Sequence, residues 1–248
     1  MKRVVIIQAR MGSTRLPGKV LLPLAGVPML DRVLNRLSLA RLADEVVVAT
    51  TTGPEDDALA AHVARRGTRV VRGSSDDVLG RYLAAAHESG AELVARVTSD
   101  CPFVDPAIVD HLFRVIARPP GYDYASNRSE PRSFPRGLDV EVCTLAALER
   151  AGRETDDPAC REHVTLYLYE QPGRFNIRWV RWRPGLGDLR LTVDTGEDYR
   201  MADAVFRRLG RDDFDWREAA ALLRREPWLA ELNAGIRQKP VRPESEGA

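Results

Sequence analysis

Residues 3–19 read RVVIIQARMGSTRLPGK, an apolar run that passes directly into a turn holding Arg10, Arg15, Lys19, Gly12, Gly18 and Pro17. RVVIIQ (3–8) has the β-branched composition and length of a buried strand. The turn is then either a loop that wraps polyphosphate or an ordinary solvated surface turn. Three more runs repeat the strand signature: EVVVAT (45–50), TRVVRG (68–73) and ELVARVTS (92–99). Helical patterns lie between them. Met29, Leu30, Val33, Leu34 and Leu37 form one apolar face, Leu59 and Val63 mark a helix within 55–66, and Val78–His87 forms another. Pro54 ahead of three acids and Asp105-Pro106 punctuate helix starts. Strand–helix–strand repetition implies parallel strands and right-handed crossovers, hence an α/β, doubly wound sheet with helices on both faces.

After IARPPGYDY the rhythm breaks. Residues 121–190 hold a Pro/Gly/Arg-rich stretch, a strand-like LDVEVCT, two helices and the alternating FNIRWVRW, which together read as an insert carried on the sheet. LRLTVDT (189–195) reads as a returning strand, followed by helices near 197–209 and 216–226. Residues 1–237 are expected to form one domain, with the polar segment 238–248 a flexible tail. A net charge of +1 over 248 residues argues against a nucleic-acid partner. Cys101, Cys143 and Cys160 are widely spaced and form no zinc or disulfide framework. With no apolar run of membrane-spanning length and a strand at the very start, the expectation is a reduced, soluble, cytoplasmic protein.

Open α/β sheets bind ligands beyond the carboxyl ends of their strands, where the Arg10–Lys19 turn falls. Its glycines permit close approach of backbone amides to an anion, and its cations pair with phosphate oxygens. It is not a Walker A loop, because five residues separate Gly12 from Gly18 and Val20 follows Lys19. The dinucleotide fingerprint GxGxxG is absent. Asp100 ends the fourth strand in TSDCPFVD, and Asp194 ends LRLTVDT. Thr195 and Asp198 already form a capping-box pair, so Asp194 is spare. Two such carboxylates beside a phosphate loop suit magnesium, which takes hard oxygen ligands plus substrate phosphates. Thr50 and Thr51 offer hydroxyls to a nucleobase or cap a helix. Gly73, Asp76 and Arg81 fall in RGSSDDVLGRY, where Ser75 or Asp76 is a candidate cap. His163, in REHVT, is structural or catalytic.

Seven motifs occur in one order: QARMGSTRLPGKVLLPLAGVPML, VVATT, RGSSDDVLGRY, SDCPFVDP, GLDVEV, REHVT and LTVDTGEDY. In this the chain resembles the spore coat polysaccharide biosynthesis protein F family, itself similar to the sugar-acid (CMP-sugar) cytidylyltransferases. The resemblance runs from about residue 3 to 200. It implies a Rossmann-like nucleotidyltransferase fold, CTP as donor, magnesium and a homodimer. By matching position, Arg10, Arg15 and Lys19 would serve catalysis. Gln8, Ala9, Gly12, Ser13, Thr50, Thr51, Gly73, Asp76, Arg81 and Ser99 would surround the nucleotide. Asp100 and Asp194 would hold the metal, and Arg136, Asp139, Glu141, Glu162 and His163 would face the acceptor. Arg136, where the family often has an acid, and Leu166, where it often has proline, depart from the pattern.

The expected activity is therefore magnesium-dependent transfer of CMP from CTP to an acidic sugar or a related phosphate or phosphonate, with pyrophosphate released. A nucleotide-sugar glycosyltransferase is the enzymatic rival, although SDCP offers one aspartate where DxD offers two. A silent nucleotide-binding assembly protein is the non-enzymatic rival, against which Lys19 and both aspartates speak.

Overall fold

A computed structural model of the protein describes residues 1–183 and 185–242, so the last six residues of the expected tail lie outside the described residues. Its strands are β1 (Arg3–Gln8), β2 (Pro23–Leu24), β3 (Val27–Pro28), β4 (Glu45–Thr51), β5 (Arg69–Gly73), β6 (Leu93–Thr98), β7 (Tyr124–Ser126), β8 (Glu141–Thr144) and β9 (Ile177–Trp179). Its helices are α1 (Met29–Leu37), α2 (Asp57–Arg65), α3 (Val78–Ser89), α4 (Pro106–Ile116) and α5 (Leu145–Glu154). They continue with α6 (Pro158–Glu162), α7 (Leu166–Glu170), α8 (Gly196–Leu209), α9 (Trp216–Arg225) and α10 (Pro227–Glu231).

One seven-stranded sheet runs β5-β4-β1-β6-β8-β7-β9, while β2 and β3 form a separate hairpin. The four strands read from the first hundred residues are mutually parallel, as their helical crossovers require. Along β1 the side chains alternate between the two faces: Val5 and Ile7 join one apolar cluster, Val4 and Ile6 the other. A strand covered on both sides needs both registers apolar, which is why RVVII reads as a continuous run. Helices α1, α2, α4, α8, α9 and α10 contribute to the first cluster, and α3, α5, α6 and α7 to the second.

Three readings change. The segment 121–190 is partly sheet: β8 pairs antiparallel with β6, β7 with β8, and β9 lies parallel to β7 at the edge. It carries three helices where two were read. The division falls at Val164, whose φ of 52° is a left-handed backbone that a β-branched residue rarely adopts and that no helix can continue through. LRLTVDT forms no ladder strand. It is an extended segment held between two loops: Leu191 N–H donates to the Arg136 carbonyl at 2.7 Å, and Val193 N–H to the Asp100 carbonyl at 2.8 Å. Gly137 makes this approach possible. Its φ is 96°, and a Cβ there would lie 2.5 Å from the carbonyl carbon of Leu191.

Candidate active site

Because β1, β4, β5 and β6 are parallel, Gln8, Thr51, Gly73 and Thr98 end at one edge of the sheet. The antiparallel β8 begins at that edge, with Glu141 beside Arg96. Loops leaving this edge, α6 and the C-terminal segment enclose a cavity of about 850 Å³. A doubly wound sheet places its ligand site here because neighbouring crossovers diverge to opposite faces and leave a crevice.

Lys19 forms the centre. Its Nζ donates to Asp100 Oδ2 at 3.2 Å, Asp194 Oδ1 at 3.0 Å and the Val193 carbonyl at 2.8 Å. Burial opposes its charge, but the two carboxylates outweigh burial and hold the ammonium above its ordinary range. Burial likewise works to raise Asp100, and Lys19 together with the Thr98 hydroxyl brings it below the ordinary carboxylate value. Asp194 also pairs with Arg15 at 3.1 Å and with Arg190 at 3.0 Å. Beneath it, the fully buried Asp198 accepts from the Asp194 and Thr195 amides and from Arg190 Nε. The capping box of Thr195 and Asp198 is present as read. It fixes the direction of the Asp194 backbone through the start of α8.

The loop after β1 is anchored from below. Asp56 accepts the Met11 amide at 2.6 Å and the Thr51 hydroxyl, and Gly18, at φ 66°, turns the chain into the helical turn that carries Lys19. Gln8, Ala9, Arg10, Gly12, Ser13, Arg15, Lys19, Asp76, Arg81, Ser99, Asp100, Arg136, Asp139, Glu141, Glu162, His163 and Asp194 all line the cavity. Three residues from the nucleotide set do not. Thr50 and Thr51 are buried under the loop, the first with its hydroxyl unpartnered and the second spent on Asp56. Gly73 packs under the Arg81 side chain, where a Cβ would meet Cγ at 2.8 Å. The cap of α3 is neither Ser75 nor Asp76 but Asp77, which accepts from Gly80 N–H at 2.8 Å. Asp76 is thereby left on the cavity wall.

On the other wall, Arg96 and Glu141 form a buried ion pair. Burial would raise the Glu141 carboxyl, yet Arg96 and Arg128, with hydrogen bonds from Tyr124 and Thr165, hold it below its ordinary value. Its oxygens are largely used internally, which makes it a support of the wall. Asp139 pairs with Arg132, and its burial nonetheless raises its carboxyl. Burial and the nearby Arg96 charge lower the His163 imidazole, so its neutral form dominates near pH 7. Arg136 has its charge disfavoured by burial and by Arg132. Sequence reasoning missed Arg96 as a lining residue. The available signal was an arginine inside an apolar strand, a position that demands an acidic partner such as Glu141.

Electrostatically the cavity is unbalanced. Arg10, Arg81, Arg128, Arg136 and Lys239 line it without a carboxylate partner among the described residues, whereas Asp100, Asp139, Glu141 and Asp194 are each paired with a cation, leaving Asp76 and Glu162 as the lining carboxylates without a cation among the described residues. Such a wall attracts anions. Among the described residues no group of three or more His, Cys, Asp or Glu gathers to hold a metal. The two aspartates nevertheless converge on a single cation, the Lys19 ammonium, which is the donor set magnesium uses when phosphates complete its shell. No helix among the described residues is long and apolar enough to cross a membrane.

A model of the cytidylyltransferase family matches residues 4–214. The spore coat polysaccharide biosynthesis protein SpsF of Bacillus subtilis is 35% identical over 232 residues, which is 90% of this chain and 94% of that protein. A cytidylyltransferase structure from Leptospira borgpetersenii superposes with a TM-score of 0.90 at 33% identity, over 96% of this chain and 100% of that one. The CMP:2-keto-3-deoxy-manno-octonic acid synthetase complexed with CTP shares the fold, with a TM-score of 0.65 at 20% identity over 84% of this chain and 100% of the other.

Proposed function

This chain belongs to the cytidylyltransferase family, and we propose that it moves CMP from CTP to an acidic sugar or a related phosphate or phosphonate, releasing pyrophosphate. The observation that carries this reading is the Lys19 ammonium held between Asp100 and Asp194 in a cavity where five further lining cations, Arg10, Arg81, Arg128, Arg136 and Lys239, lack carboxylate partners among the described residues. In the transfer, an acceptor oxygen attacks the α-phosphorus, a new P–O bond forms, and the bond to the β-phosphate oxygen breaks in line. The electron pair leaves with pyrophosphate.

This chemistry requires positioning and compensation of charge more than covalent help. Arg10 and Arg15, with the amides of the Gly12–Ser13 turn, bind the triphosphate, and Lys19 stabilises charge developing at the reacting phosphate. Asp100 and Asp194 would hold magnesium, which would neutralise phosphate charge and orient the leaving group when bound. Arg128 and Arg136 orient an acidic acceptor by bidentate pairing. If the acceptor is a hydroxyl, the neutral His163 imidazole is the lining group suited to take its proton. A phosphate oxygen needs no such base. The reading includes a homodimer, for which the exposed edge strand β9 is a candidate surface.

The test is pyrophosphate release with CTP, UTP, ATP and GTP, each with magnesium, against a panel of 2-keto sugar acids, sugar phosphates and phosphonates. Release with CTP and an acidic acceptor is the expected result. Turnover with a neutral sugar alone, or none with CTP and any acid, would overturn the reading. Light scattering reads the oligomer.

A further inference from the structure

The polar segment after Arg237 has the composition of a free tail, yet Gln238–Val241 lie along the cavity. It is held at both ends. At one, Arg190 Nη1 donates to Gln238 Oε1 at 2.8 Å while Nη2 of the same guanidinium holds Asp194 Oδ2 at 3.0 Å. At the other, Arg242 pairs with Asp157 at 2.8 Å and hydrogen-bonds Glu170 through Nε at 3.1 Å. Asp157 caps α6, which His163 follows directly, and Val241 and His163 both line the cavity. The segment therefore spans from the Lys19 centre to the α6–α7 corner, and Lys239 falls between the two attachments.

We propose that Gln238–Arg242 is a latched strap of the active site and that it delivers Lys239 to the acidic group of the acceptor. The inference rests on the reading of an acidic acceptor given above. Three considerations support it. The far end of the strap is held on Asp157 at the start of α6, and the acceptor-set residues Glu162 and His163 follow at the other end of that helix, so the strap's cation is assigned to the acceptor. Exposed ion pairs such as those of Arg242 are individually weak, so the latch can release to admit a substrate and re-form around it. Pro240 removes a backbone donor and limits the conformations the strap must lose on closing.

The test uses the full-length protein with Lys239→Ala, Lys239→Arg and Arg242→Ala. Loss of one charge-assisted contact is expected to raise the acceptor KM about tenfold in Lys239→Ala, with the CTP KM unchanged and Lys239→Arg recovering most of it. Hydrogen exchange of the peptide covering 236–242 should be several-fold faster in ligand-free Arg242→Ala than in the parent. An unchanged acceptor KM in Lys239→Ala, or equal rises in both KM values, overturns the role of Lys239. Equal exchange in the parent and Arg242→Ala overturns the latch. If the parent turns over no acidic acceptor, the functional reading fails by itself, and the exchange comparison still decides whether the strap is latched.

Discussion

The Val193 amide donates to the Asp100 carbonyl at 2.8 Å, and this one backbone bond lays the segment before α8 against the end of β6. Asp100 and the residue after Val193, Asp194, then face a common ammonium. Two carboxylates brought this close repel unless a cation lies between them, and the Lys19 ammonium offsets that repulsion.

Replacing Lys19 with Ala is expected to lower kcat about a hundredfold, on the order of 3 kcal/mol of transition-state stabilisation. The Lys19 side chain belongs to neither apolar cluster, and Arg15 and Arg190 remain to compensate Asp194. Thermal unfolding should accordingly change little. Near-parental pyrophosphate release in a folded variant would return the loop to an ordinary surface turn.

Asp100→Asn and Asp194→Asn should each depress turnover and raise the magnesium concentration needed for half-maximal rate, because each removes one of two carboxylates facing the same cation. Asp194→Asn should be the more damaging to stability, since it also strips a partner from Arg15 and Arg190. Magnesium titrations paired with calorimetry separate the two effects. A half-maximal magnesium concentration identical to the parent's in both variants would refute the shared site.

Glu141→Gln leaves Arg96 buried with its carboxylate partner removed, a change that costs about 3–5 kcal/mol in folding stability. The loss should appear in denaturant midpoints and depend only weakly on ionic strength, because a largely buried pair is screened less than a surface one. A variant that is fully stable and defective only toward the acceptor would instead make Glu141 a direct ligand.

The His163 imidazole sits lower than its ordinary value, so the unfolded chain binds a proton there that the folded protein resists. Its contribution to stability is thus complete above about pH 6.5 and falls as pH drops from there toward the folded value. His111, also lowered by burial, adds to the same acid limb. Melting temperatures measured between pH 5 and 8 should decline on the acid side in the parent and decline less in His163→Gln. Parallel curves for the two proteins would remove His163 from the account.

Arg136 lines the cavity, and its side chain has no carboxylate partner among the described residues. Exchanging it for Asp should raise the acceptor KM or change acceptor preference, with the CTP KM near its parental value. If both constants rise together, the wall carrying Arg136 does not serve the acceptor alone.

Much of this protein is dictated locally. Short apolar, β-branched runs such as VVII are legible as strands because a strand buried on both faces needs every side chain apolar and the run is too short for a buried helix. Asp105-Pro106 opens α4 and the Thr195–Asp198 pair opens α8, since the caps satisfy amides that the helix itself cannot. The cluster of Arg10, Arg15 and Lys19 after the first strand marks a site at the strand ends by the same local logic. Tertiary contacts decided the rest. LRLTVDT has strand composition but pairs with loop residues, because Gly137 lets its backbone pass where a ladder would otherwise form. Thr50 and Thr51 look available in sequence, yet Asp56 anchors the loop above them and buries both. Arg96 reaches the cavity only because β8, from a distant segment, pairs antiparallel with β6 and sets Glu141 beside it. Gln238–Val241 carry no pattern that predicts order, and lie on the site because Arg190, Asp157 and Glu170 converge from three separate stretches of chain. Periodicity and capping act within a few residues and are therefore legible in sequence. Charge pairs between remote segments exist only once the sheet has brought those segments together.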